Sequence, residues 1–208
     1  MKTMWGYEIP DEDTLQPLVT ETEFNELTAN KYSGDARISP NISAASAAIR
    51  DYCGWHVYPS LDCVFTERLL AGNGHIKRAG TDILIQLPAA FVTDVSSVTI
   101  DGEESDDFAF ETNGIVRIFD VYCHEVTRKT VITVSYTAGV DDGLMAGISE
   151  LAAHRVTHAL ASSGGIQTET AGGVSITYAS NWINSARSTA LADDNKEVLA
   201  PYRVRGVF

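Results

Sequence analysis

Basic side chains are scarce in this chain. Its 208 residues carry 15 lysines and arginines against 28 aspartates and glutamates, a formal charge of −13. Affinity for nucleic-acid phosphates comes from clustered Lys and Arg, so a protein whose main task is to grip DNA or RNA is excluded. Cysteine is also sparse. Cys53, Cys63 and Cys123 are odd in number and have no CxxC spacing, which argues against a disulfide framework or a zinc knuckle and leaves them as reduced, mostly buried small hydrophobes. There is no run of about 18 apolar residues to cross a bilayer. Met1-Lys-Thr-Met-Trp5 leads into no signal-peptide apolar core, and the chain is expected to be made and kept in cytosol.

The common catalytic signatures are missing too. Gly72-Asn-Gly-His75 is too short for a phosphate-binding loop and reads as a turn, no GxxxxGK[ST] or GxGxxG follows a strand, and no serine lies in a GxSxG elbow. A triad assembled from distant residues leaves no such local trace. His154 and His158 stand four apart, the spacing that lets two imidazoles reach one zinc. Arg155 occupies the place of a zincin's general base, however, and no carboxylate lies between the two histidines. The ligand set is incomplete, and the plainer reading is a polar helix face at a subunit contact. Asp101, Glu103, Glu104, Asp106, Asp107 and Glu111 lack the ligand order and central glycine of an EF-hand loop and read as a solvated turn. The expectation is a protein with no catalytic site, no metal and no cofactor.

What is present is ordinary globular composition, 44% hydrophobic and 21% charged, enough to bury a core. Thr20 and Glu23 have capping-box spacing, with Val19 and Phe24 as a hydrophobic staple, so a helix is predicted over about 21–29. Lys31 to Pro40 reads as a loop. Asn41 can cap a second helix, 42–53, with Ile42, Ala45, Ile49 and Cys53 on one face and Gly54 ending it. From about 60 to 138 the period turns to alternation: Leu61, Cys63 and Phe65, then Ile83, Ile85 and Leu87, then Thr130 to Tyr136. Asp101-Gly102 and Asn113-Gly114 mark turns, the second a strong hairpin signal. Helical spacing returns through Met145, Ile148, Ala152, Val156 and Ala159, over about 143–162. An extended piece at Val174–Tyr178 precedes a helical stretch from Asn181 to about Leu199, with a break at Asp193-Asp194.

The expected fold is therefore α+β, a helical bundle core of about four helices interrupted by an antiparallel β insert, a small sandwich or open barrel. The segments are an acidic N-terminal arm (1–20), the helical core (21–58 and 139–200), the β-rich insert (59–138) and a C-terminal tail (201–208). Tyr52, Trp55 and Tyr58 are expected to pack at the domain junction rather than to form a stacking platform. Leu199, Tyr202, Arg203, Val204, Arg205 and Phe208 mix apolar and Arg residues without an acid. That mix fits a docking peptide or a frayed terminus.

Several of these stretches also carry a family resemblance. Ala48-Ile49 leading into Tyr52-Cys-Gly-Trp-His56, Leu87-Pro88 followed by Val95 to Gly102, Val134-Ser-Tyr-Thr-Ala-Gly139, Glu169 with Gly172-Gly173, Ser175 and Tyr178, and the closing Tyr202-Arg203 resemble, in order and spacing, the head-tail connector (adaptor) proteins of tailed bacteriophages. They span roughly half the chain. The resemblance implies a non-enzymatic virion protein at the neck, assembled in the host cytoplasm as a homo-oligomeric ring, commonly of twelve copies. Such a ring lies between the portal protein and the stopper or tail-completion proteins, with the C-terminal segment on the portal, and no membrane is involved. DNA would pass through without specific binding, which suits an acidic wall. Two other classes stay open: a carbohydrate- or protein-binding β module, and a metal-dependent hydrolase using His154 and His158.

Overall fold

The computed structural model describes residues 6–10, 15–69, 74–121, 129–161, 168–171, 174–177 and 193–204. Its elements in chain order are β1 (Tyr7–Glu8), α1 (Glu21–Leu27), α2 (Ile38–Cys53), β2 (Leu61–Arg68), β3 (Ile76–Ala79), β4 (Asp82–Gln86), β5 (Val92–Ile100), β6 (Glu103–Glu104), β7 (Phe108–Phe110), β8 (Ile115–Ile118), β9 (Val131–Ala138), α3 (Asp142–Ala161), β10 (Thr168–Ala171), β11 (Val174–Thr177) and α4 (Asp193–Leu199). A short 3-10 turn, Ala200–Tyr202, follows α4. The chain divides into two units: 1–16 with 53–141 and 202–208, and 17–52 with 142–201.

The first unit is all β. One antiparallel sheet has the order β1-β2-β9-β5-β6 and a second the order β3-β4-β8-β7. Cys63 and Phe65 of β2, Ile132, Val134, Tyr136 and Ala138 of β9, Ile83 and Ile85 of β4, and Val116 and Ile118 of β8 are all buried. Each of these strands turns alternate residues inward, as a half-buried strand must. Phe65 meets the ring of His75, which leads into β3, at 5.6 Å between centroids.

β5 breaks the alternation. Val92, Val95 and Val98 are its buried residues, three apart, and they lie opposite Ala138, Tyr136 and Val134 with register shifts between Val92 and Asp94 and between Val95 and Ser97. Thr93 and Ser96 are the inserted residues of two bulges. Their hydroxyls donate to the carbonyls of Thr137 (3.3 Å) and Ser135 (3.2 Å), supplying partners where the ladder is interrupted.

The turns follow their residues. Asp101 and Gly102 both have positive φ, 51° and 89°, the two-residue turn that suits a hairpin's twist. Between β7 and β8, Gly114 N–H donates to Glu111 O at 2.9 Å and Gly114 has φ 87°. A Cβ on Gly114 would come within 2.4 Å of Ala89 O, so glycine is required there.

The second unit holds the helices and the β10-β11 hairpin. Thr20 caps α1 with the full capping box to Glu23. Ser46 Oγ on α2 accepts from Leu18 N (3.0 Å), and Ser149 Oγ on α3 donates to Leu18 O (3.0 Å). One buried residue thereby ties the segment before α1 to both long helices. α2 starts earlier than the reading of 42–53, because Pro40 falls in its first turn, where a missing N–H leaves no intrahelical bond unmade. Asn41 is consequently inside the helix, its Nδ2 donating to Arg37 O at 2.7 Å.

A helical bundle core interrupted by a β insert is not what the chain builds. Nine strands in two sheets form a unit of their own that recruits β1 from the segment expected as an arm, with Tyr7 and Ile9 buried. Of the four described helices only α2 and α3 are long, at 16 and 20 residues, while α1 and α4 have seven each. Seven residues rise only about 10 Å, too little for the layered seams of a four-helix bundle. The helical stretch expected from Asn181 is described only from Asp193, with 178–192 outside the described residues.

Candidate functional site

The loop after α2 carries the highest density of unusual backbone in the β unit. Gly54 (φ 79°) ends the helix, and Trp55, His56 and Val57 are then fully buried. Tyr58 N–H donates to His56 O at 2.9 Å, closing a three-residue turn around Val57, whose φ is 68°. A β-branched residue in that region stores about 1–3 kcal/mol of strain. The loop is held from outside: Val140 N–H donates to Val57 O (2.8 Å), and His56 Nε2 lies 3.1 Å from Pro59 O and 2.9 Å from Ala138 O. Two carbonyls at Nε2 place the proton there. Nδ1 is then the acceptor, and it receives the Tyr7 hydroxyl at 2.7 Å. At the end of β9, a Cβ on Gly139 would lie 2.3 Å from Ser60 Cα, so only glycine lets the loop press this close.

Against this loop lies the C-terminal segment. Trp55 Nε1–H donates to Tyr202 O at 2.6 Å, and Val204 N–H donates to Cys53 O at 3.0 Å. Phe91 stands between the Trp55 and Tyr202 rings, near-parallel to both, at 6.2 Å and 9° from one and 5.5 Å and 21° from the other. Phe91 also has positive φ, 54°. Burying one ring of this size removes about 150–250 Å² from water, roughly 4–6 kcal/mol gross at about 25 cal/mol per Å². For the fully buried Trp55 that gross gain is of the same order as the combined strain at Val57 and Phe91.

The residues singled out in the sequence fall as follows. Leu199 is fully buried at the end of α4, Tyr202 and Val204 are half-buried, and Arg203 is exposed. Arg205 and Phe208 lie outside the described residues. Leu199 to Val204 are thus part of the fold rather than a free peptide. Trp55 and Tyr58 belong to the β unit, with Trp55 fully buried, whereas Tyr52 belongs to the helical unit, its hydroxyl donating to Lys196 O at 3.3 Å. Sequence reasoning missed Phe91, Gly139 and the Tyr7–His56 pair. Gly139 stood within a quoted stretch, and Phe91 carried no signal of its own.

No model of a known protein family matches the chain, and no curated protein matches it in sequence.

Burial pushes the Cys53 and Cys63 thiols up to about 12, with Arg203 opposing weakly at Cys53. Cys123 lies outside the described residues. Arg117 donates through Nε (2.8 Å) and Nη2 to Asp82 Oδ2, and this pairing lowers the Asp82 carboxyl below its ordinary range. Asp101, Glu103, Glu104, Asp106, Asp107 and Glu111 are all exposed. Burial, then the neighbouring His154, lowers His158 from 6.5 to about 4. Among the described residues no three His, Cys, Asp or Glu side chains group to hold a metal ion.

Proposed function

We propose that this chain is a structural virion protein, a head-tail connector (adaptor) that forms a ring between the portal and the stopper or tail-completion proteins and gives DNA a conduit. The observation that supports the reading is convergence. Three of the stretches that carry the resemblance are far apart in sequence, yet they meet at the clamp: Cys53-Gly-Trp-His56, Ala138-Gly139, and Tyr202-Arg203. Their links are the Trp55 to Tyr202, Val204 to Cys53 and His56 to Ala138 hydrogen bonds. Scattered coincidences of residue type would have no reason to share one place in the fold.

In this reading Leu199, Tyr202 and Val204 anchor the segment to the chain's own fold, and Arg203, Arg205 and Phe208 supply the portal contact. Copies assemble on the portal through many weak identical contacts, which multivalency stabilises. No catalysis or cofactor is involved, the ring carries twelve copies as the resemblance implies, and the net charge of −13 lets phosphates slide past.

The test is mass by light scattering, alone and after mixing with the cognate portal protein. A fixed cyclic stoichiometry supports the reading, and a chain indifferent to the portal sinks it. A chain truncated after Val204 keeps the clamp and should lose most portal affinity. A protein-binding β module is the second reading, favoured by Phe110, which is 37% exposed on edge strand β7. Binding to peptides or glycans that Phe110→Ala abolishes would move weight there.

A further inference from the structure

We propose that His154 and His158 form an open two-point chelate for a late first-row divalent cation of the zinc, nickel and copper class. Both side chains stand on α3, and their Nε2 atoms converge to 3.0 Å with the ring centroids 4.1 Å apart and the planes at 74°. Imidazole nitrogens bind such cations at about 2.0–2.1 Å, so two of them at a metal angle between a right angle and a tetrahedral one lie roughly 2.9–3.4 Å apart. The observed separation falls in that range without any change of backbone.

Access and field agree with the geometry. His154 is exposed, and His158 lies in the last turn of α3, where the partial negative charge of a helix C-terminus favours a cation. Arg155 stands three positions before His158, a spacing that shares a helix face, and its charge opposes the cation, so the site relies on the two imidazole bonds. With no third ligand grouped beside the pair among the described residues, the remaining coordination positions are open to water or to a donor brought by another molecule. This is a binding site, distinct from a hydrolytic centre, and it does not depend on the connector reading.

Tag-free protein stripped with a chelator is titrated with Zn²⁺, Ni²⁺, Cu²⁺ and Mg²⁺ by calorimetry, while the histidine imidazole resonances are followed by NMR. The expected result is one cation per chain, with copper tightest by the usual order for nitrogen sites, no response to Mg²⁺, and movement of the His154 and His158 signals. His154→Ala or His158→Ala should each lower affinity by roughly tenfold or more, since the second bond of a chelate forms intramolecularly. The idea is overturned if the wild-type imidazoles do not respond to Zn²⁺ or Ni²⁺ up to millimolar concentration, which would leave the pair as a simple N–H···N hydrogen bond. Binding undiminished in the double variant would overturn it equally. The wild-type NMR readout stands even if a variant misfolds.

Discussion

The Tyr7 hydroxyl donates to His56 Nδ1 at 2.7 Å and accepts the His56 main-chain N–H at 3.0 Å. Across 49 positions the Tyr7 hydroxyl thus both donates to and accepts from one residue in the core. β1 pairs with β2 only at Tyr7 and Glu8, so this link is what fastens it. Tyr7→Phe removes a donor and an acceptor at once. It should lower stability by about 1–3 kcal/mol, the cost of buried polar groups left without partners, read from the urea midpoint. Hydrogen exchange should show β1 opening first.

Tyr136 predicts the opposite. Its ring lies 6.3 Å from that of Tyr7 and is 1% exposed, yet its hydroxyl has no hydrogen-bond partner among the described residues. The Cys63 thiol across the strand pair is its polar neighbour, a weak one. Tyr136→Phe removes a desolvated hydroxyl without opening a large cavity. Stability should stay level or rise by up to about 1 kcal/mol, and a loss as large as that of Tyr7→Phe would show that the hydroxyl is bonded after all.

Glycine substitutions should separate by surroundings. Gly139→Ala places a Cβ 2.3 Å from Ser60 Cα and 2.6 Å from Pro59 O, against backbone that cannot move aside. Gly80→Ala meets nothing within 4 Å and suffers only its φ of 69°, a strain of about 1–2 kcal/mol. Thermal melts should therefore show the first variant several-fold more damaging than the second.

Cys53 and Cys63 should be inert in the native protein. Both are buried, with thiols held up to about 12 by desolvation, so little thiolate exists at pH 8 and reagents cannot reach it. Mass spectrometry after iodoacetamide should find them unlabelled natively and labelled in denaturant. Fast native labelling of either would contradict the packing.

Acid sensitivity follows from Asp82. Its carboxyl is held below the ordinary 3.8 by Arg117 first, with the main-chain N–H of Asp120 and the Thr81 hydroxyl adding to the effect. A carboxyl depressed in the folded state contributes stability above the unfolded value and loses it as pH falls through the folded one. Urea midpoints measured from about pH 6 to pH 3 should fall on the acid side, and Arg117→Leu should flatten that fall.

Much of the local structure was legible. Thr20 and Glu23 made the capping box expected of them, Asn113-Gly114 made the hairpin turn, and α3 kept its apolar stripe at Met145, Ile148, Ala152 and Val156. In each case the deciding contacts lie within about four residues, so residue type and spacing suffice. β5 was harder to read because two bulges space its buried valines by three, a period that mimics a helix rather than a strand. The bundle expectation failed for a related reason. The local signals placed a helix at about 21–29 and a helical stretch from Asn181 to about Leu199, but could not show that α1 and α4 would each be only seven residues, nor that the β segment would draw β1 from the N-terminal stretch into its sheet.

The sequence by itself determined the caps, the turns, the inward face of each regular strand and the acidic surface, because those depend on near neighbours and on composition. Only the tertiary structure decided that Tyr202 closes onto Trp55 across 147 residues, that Phe91 lies between their rings, and that His154 and His158 turn their nitrogens toward each other. The clamp's hydrogen bonds end on main-chain carbonyls, which every residue possesses. No residue type announces such a contact until folding brings the two backbones within reach.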